Sequence, residues 1–328
     1  MKQHFIPQVY LKEFLNKNGK LYTLDTALLK YGRSVFSEER STAEVCRSKD
    51  FYTLNPSLIS TFPHMKDLHR LSIEESFQHY ERKYPKIIAK IKAKQQAIPI
   101  DDARTLMYTL LDFKIRNVHF RENVVPKAYV AAVEEIIGEY KYGIQHDYLP
   151  AALNLSREEV LKQLDLIEKK FKGISSPEDM HLSAIAQRKQ ETEGIQDKII
   201  EHALGLEWIM FESNDGFVTN DNPGVSVDSR NRVQNTKFDE DYRYFCPLTP
   251  SLCLSFDASR FDQRYKTNKV QKYISYQKCS AQATAQINQL CGYHVNRHIF
   301  AQSKEVIDSI AVSINRAAEL KGEIKRTQ

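Results

Sequence analysis

His4 is the first residue of this chain that could do chemistry. It stands in His4-Phe5-Ile6-Pro7-Gln8-Val9-Tyr10-Leu11, where Tyr10, Leu11 and Phe14 could hold its ring still. An ordered imidazole serves as a general base or a metal ligand. Its plainer use is to cap a helix or to sit exposed in a leading loop. Asp221 lies in Val218-Thr219-Asn220-Asp221-Asn222-Pro223. A carboxylate at a strand end can face solvent or a cation, but the same string makes good turns through side-chain-to-backbone hydrogen bonds. Glu207 and Glu212 flank the one tryptophan, Trp208, and with Asp221 could supply two or three acidic ligands to a divalent ion.

Cations form a second pattern. Arg82, Lys86, Lys90 and Lys94 recur in steps of four, which places them on one slowly drifting helix face with Ile87, Ile88 and Ile91 opposite. Such a face can neutralise a phosphate backbone, or can be a solvated outer face; no aromatic residues interleave it closely enough to make a base-stacking platform. Arg116 and Arg121, with His119 between them, make another cationic cluster, and Arg116 calls for a carboxylate or phosphate partner. His294 and His298 are four apart, but the segment from Arg297 reads as extended, which argues against a helical zinc pair. The chain has no HExxH, Walker A, GxGxxG, GxSxG or zinc-deaminase pattern, which excludes those enzyme classes in their common forms.

The elements that must position these groups are legible in outline. Over 328 residues, 41% hydrophobic and 27% charged residues are the composition of a globular chain with a real core. No run of about 18 apolar residues occurs, so no membrane partner is expected. The first residues do not read as a signal peptide. Cys46, Cys246, Cys253, Cys279 and Cys291 are an odd, scattered set without a CxxC pair, which with the missing signal predicts a cytoplasmic protein with free thiols. Net charge is +5, but residues 1–100 alone carry 17 Lys+Arg against 10 Asp+Glu, so an anionic partner is sought there.

Asn18-Gly19 marks a turn before the alternating strand Lys20–Asp25, and Lys49–Leu54 reads as another short strand. From Ser72 the period becomes helical: a helix to about Gln96, one capped by Asp101 or Asp102, one opened by Pro126, one over 157–172 with Ser156 and Glu159 as a capping box, and one or two from Pro177 to about Met210. A short strand running into a turn returns over Gly216–Pro223, further strands at Leu252–Phe256 and Arg297–Ala301, and a terminal helix starts at Ser303 and runs to about Lys325. The expectation is α+β: a helical middle block packed on a mixed sheet made from N- and C-terminal strands, in one domain over 1–328. Its parts are strands and loops over 1–60, the helical block over 72–212, strands over 213–302 and the terminal helix over 303–325.

The opening string with Phe14, then Asp50-Phe51-Tyr52, Glu75 followed by Glu81, Phe217-Val218-Thr219-Asn220-Asp221-Asn222-Pro223, Pro247-Leu248-Thr249-Pro250 and Ile287-Asn288 together resemble the bacterial family known as domain of unknown function 4238. The family often has Ser where this chain has Asn220. It brings no established activity. What the resemblance implies is which positions to match: His4, Gln8, Glu81, Arg116, Asp221, Asn222 and Asn288.

Two functions follow as expectations. In the first, the chain is a metal-dependent phosphodiester hydrolase, nuclease-like, acting on nucleic acid. Asp221 with Glu81 or Glu212 holds Mg2+ or Mn2+ to activate water, His4 is base or further ligand, Arg116 clamps a phosphate, and Arg82 to Lys94 hold the backbone. In the second, it is a non-catalytic nucleic-acid-, nucleotide- or protein-binding module whose blocks lock the two ends of the chain together.

Overall fold

The segments of period 2 pair over long sequence distances. The computed structural model describes residues 2–29, 37–61, 65–143, 148–174, 176–190, 194–230, 232–234 and 242–320. Their contacts divide into two compact units: one built from 1–53, 71–117 and 191–328, the other from 54–70 and 118–190.

Among the described residues every strand belongs to the first unit. β1 (Lys2–His4) pairs antiparallel with β4 (Arg47–Lys49), placing His4 opposite Arg47. A four-stranded sheet runs β3 (Glu38–Arg40), β2 (Leu21–Asp25), β13 (His298–Ala301), β7 (Thr219–Asn220). The N- and C-terminal strands thus share a sheet, and the fold is α+β. A seven-stranded sheet runs β5 (Ala97–Pro99), β12 (Gln271–Lys278), β6 (Leu206–Glu212), β11 (Leu252–Phe261), β10 (Tyr242–Thr249), β8 (Val225–Asp228), β9 (Val233–Gln234). It is antiparallel except where β12 meets β6. Its central strands are buried on both faces, with Leu252, Cys253, Leu254, Ser255 and Phe256 of β11 all inside, as apolar runs require when a sheet is covered twice.

The same unit holds α1 (Gln8–Leu11), α2 (Thr26–Leu29), α4 (Ser72–Lys92), α5 (Ile100–Ile115), α10 (Ile195–Gly205), α11 (Gln263–Thr267), α12 (Ala281–Tyr293) and α13 (Lys304–Leu320). The second unit is helical: α3 (Pro56–Thr61), a π turn at Phe120–Val124, α6 (Val125–Tyr142), α7 (Tyr148–Leu153), α8 (Arg157–Ile174) and α9 (Pro177–Gln190). Pro126 opens α6, and the Ser156–Glu159 box closes reciprocally, with Ser156 N donating to Glu159 Oε2 at 2.8 Å and Glu159 N donating to Ser156 Oγ at 3.3 Å.

Several expectations are corrected. The helical block ends at Gly205, because Leu206, Trp208 and Met210 are buried in alternation, a strand pattern concealed by the apolar Ile209 and Phe211 beside them. α4 stops at Lys92 and Lys94 adopts a left-handed φ of 55°, so Lys94 leaves the helical stripe. α5 begins at Ile100 after Pro99, with Asp101 and Asp102 in its first turn rather than at its cap. Asp50, also left-handed at φ 51°, ends β4 before Phe51. Strand β12 and helix α12 had no counterpart in the sequence reading. The end of the terminal helix, beyond 320, lies outside the described residues. All five cysteines are free, four of them buried and Cys279 partly so. No described helix is long and apolar enough to cross a membrane.

Candidate functional site

The C-terminal end of α5 and the two residues that follow it reach two different polar clusters. Lys114 and Asn117 point to the Asp221 turn; Arg116 points to the N-terminal strand.

The Asp221 turn is closed. β7 pairs with β13, Ile299 opposite Asn220, and the chain then turns through Asp221-Asn222-Pro223-Gly224. Gly224 has φ 81°, and a Cβ there would collide with the Tyr244 ring, so the position requires glycine. Asp221 Oδ1 accepts the backbone N–H of Asn296 at 2.9 Å, and Oδ2 accepts those of Arg297 at 2.8 Å and His298 at 2.9 Å. Burial nonetheless outweighs these three amides and pushes the Asp221 carboxyl up to about 6.

Asn222 is equally engaged. Its Oδ1 accepts from Lys114 Nζ at 3.1 Å and Asn117 Nδ2 at 2.8 Å, and its Nδ2 lies 3.0 Å from His294 Nε2. Asn220 Oδ1 accepts from Asn222 N at 2.8 Å, and Asn220 Nδ2 donates to Cys291 O at 2.6 Å. Asn288, on α12, braces the entry to the turn by accepting from Val218 N and donating to Gly216 O. Lys114 is buried and gives its protons, among the described residues, to carbonyl oxygens alone: Asn222 O, Asn222 Oδ1 and Gly224 O. With no carboxylate of the described residues in contact, burial pulls its ammonium down to about 7.

The N-terminal cluster is less completely paired. The His4 ring lies within 3.4 Å of Gln8 Nε2 and is also held by the backbone of Thr42 and Ala43; burial lowers its pKa. Arg116 Nη1 pairs with Glu81 at 2.5 Å and Nη2 donates to His4 O at 2.9 Å. Its guanidinium lies 4.0 Å from the Phe77 ring centre and 5.5 Å from that of Tyr52, whose hydroxyl donates to Arg116 O. Burial alone would lower the Arg116 pKa, but Tyr52 and Glu81 hold it above its ordinary range. Glu74 precedes Glu81 by two helical turns on α4 and is half-buried; burial raises its pKa, Glu81 adds to that and Arg116 opposes it. Three buried polar atoms here have no partner among the described residues: Gln3 Nε2, Glu74 Oε2 and Arg116 Nε.

The structure therefore gathers His4, Gln8, Glu81 and Arg116 in one place, and Asp221, Asn222 and Asn288 in another. Glu212 stands apart from both groups, at the end of β6, paired with Lys94 at 2.7 Å. Lys90 is paired with Asp102 at 2.5 Å, while Arg82, which reaches Gln78, and Lys86 are exposed. Arg121 and His119 fall in the second unit. His298 Nδ1 lies 3.8 Å from Asp221.

The expected ion site does not fit. Both oxygens of Asp221 are taken by amide donors, Glu212 is neutralised by Lys94, and no group of three His, Cys, Asp or Glu among the described residues could hold Mg2+ or Mn2+. The sequence reading missed Glu74 and Lys114. Glu74 could have been found from its seven-residue spacing to Glu81; Lys114 only from standing, charged, in the inward run Leu110–Ile115.

The sequence profile of a family described as "Protein of unknown function (DUF4238)" matches residues 2–305, a span that contains both clusters. No curated protein and no solved structure matches the chain.

Proposed function

We propose that this chain, which belongs to the DUF4238 family of proteins of unknown function, is a phosphodiester hydrolase that works by general acid–base catalysis at the His4–Glu74–Glu81 cluster. The observation that carries the reading is the contrast in satisfaction: buried polar groups are normally paired, and here Gln3 Nε2, Glu74 Oε2 and Arg116 Nε are buried without a partner among the described residues, while His4, Glu74 and Glu81 are partly exposed. Environments have also shifted the groups toward opposite tasks. His4, its pKa lowered by burial, is neutral at pH 7 and able to accept a proton; Glu74, its pKa raised by burial, keeps its proton to higher pH and is the acid.

In this reading water gives a proton to the His4 ring as its oxygen bonds to phosphorus. The ester P–O bond breaks, and Glu74 delivers its proton to the departing alkoxide. Arg116, buried beneath Phe77, is a positioning residue: it holds the Glu81 carboxylate and the His4 backbone. Arg47 opposite His4, with the exposed Arg82 and Lys86 on α4, attracts the anionic substrate.

The test offers labelled RNA and DNA to the purified protein, with chelator and with Mg2+. Cleavage is expected in chelator, and is expected to be lost in His4→Ala and Glu74→Gln while both variants keep the wild-type melting temperature. Cleavage that survives both substitutions removes the site. A non-catalytic binding module is the second reading, favoured by the Asp221 block, whose polar groups are spent on structure. It stands if the wild type cleaves nothing but retains RNA or DNA in a gel shift.

A further inference from the structure

The first unit has a cleft that neither polar cluster uses. It opens between α12 and strands β6, β8, β10 and β11, and encloses about 910 Å³. That lies within the roughly 300–1,000 Å³ of small-molecule sites. Phe211 and Phe245 form part of its lining, nearly parallel at 27° with centres 6.4 Å apart. Ile287 and Leu290 face it from α12.

Its polar lining is neutral in effect. Asp228 accepts from Arg232 Nε at 2.5 Å and from two backbone N–H groups. Asp257 is paired with Arg243 at 3.0 Å and accepts from Ser259 Oγ at 2.6 Å. Among the uncharged polar groups that face a ligand are the Gln286 amide, exposed and without a hydrogen bond to any described residue, and the Tyr293 hydroxyl, which accepts from Gln289 at 2.8 Å. An aromatic wall favours a flat π-system. An amide that donates and accepts side by side reads a heterocycle edge carrying the complementary pair. With Asp228 paired to Arg232 and Asp257 to Arg243, each of these carboxylates already has a counter-ion, so an ionised group would gain little for the hydration it loses.

We infer that this cleft binds a neutral, flat heteroaromatic molecule of nucleoside size, its ring against Phe211 and Phe245 and its polar edge on Gln286. The site uses neither His4 nor Glu74, so it stands or falls apart from the hydrolytic reading.

Calorimetric titration of the full-length protein with adenosine, guanosine, cytidine and uridine, adenosine 5′-phosphate and a single-stranded oligonucleotide tests it. At least one nucleoside is expected to bind saturably. Gln286→Ala should weaken it about tenfold, the effect of one well-placed hydrogen bond. Ala283→Trp, which fills the cleft from the helix surface, should abolish it without lowering the melting temperature. The phosphate should add nothing. The site is overturned if no nucleoside binds, if only the oligonucleotide does, if Ala283→Trp leaves binding intact, or if the 5′-phosphate binds more than about tenfold tighter than its nucleoside.

Discussion

The Asp221 turn and the His4 cluster are built on the C-terminal end of α5, two residues apart, yet they solve opposite problems. At the turn each Asp221 oxygen, both ends of the Asn222 side chain and the Lys114 ammonium have partners, most of them backbone. Around His4 the side chains of His4, Glu74 and Glu81 are partly exposed, and Gln3, Glu74 and Arg116 each leave a buried atom unpaired among the described residues. Saturation stabilises; incomplete pairing keeps groups available, at a cost the rest of the fold must offset. Equal prominence in the sequence therefore does not mean equal roles.

Asp221→Ala should separate the two most sharply. It strips three N–H donors of their acceptor and unpins the 296–298 segment from β7, for an expected loss of about 2–4 kcal/mol in chemical denaturation. Its pH signature has a definite sign. The folded carboxyl titrates near 6 and the unfolded one near 3.8, so between those values the folded state holds more protons and wild-type stability falls as pH rises. The alanine variant should lack that slope. A variant as stable as wild type would return Asp221 to the list of catalytic candidates.

Lys114→Met comes next. The folded ammonium titrates near 7 against 10.5 unfolded, so the unfolded chain binds more protons above pH 7 and stability should climb with pH, by at most about 1.4 kcal/mol per unit. Cys246 and Cys291, pushed up to about 12 from 9, act the other way only above pH 9, so the window to measure is pH 7 to 9. Methionine removes the climb. Because it leaves the Asn222 and Gly224 carbonyls without their donor, it should lie about 1–2 kcal/mol below wild type at pH 9. An unchanged climb would mean that another group supplies it.

How much of this was legible follows from range. The Ser156 box and the turn chemistry of Asn220–Pro223 are local and appear where the pattern placed them, and helical periodicity placed the middle helices but not their ends. The meeting of His4 with Arg116 spans 112 positions and that of Lys114 with Asn222 spans 108, and no local rule encodes either. β6 was concealed because Ile209 and Phe211 interrupt the alternation with apolar residues. Asp221 was read as ambiguous between cation and turn, and nothing in the sequence shows which donors lie 75 to 77 residues downstream.

Glu74→Gln has the smallest expected effect on stability and is the finest test of the contrast. The Glu74 carboxylate is half-buried with Oε2 unpaired, and burial holds its pKa above 4.5. Above that value the unfolded side chain has given up its proton while the folded one resists, so the wild type loses stability as pH rises through this interval. A neutral amide of the same shape escapes that cost. The variant should match wild type at pH 4 and equal or exceed it at pH 7, by no more than about 1 kcal/mol. A loss at neutral pH as large as that expected for Asp221→Ala would mean that Glu74, too, is part of the scaffold, because a carboxylate kept for chemistry is one the fold can do without.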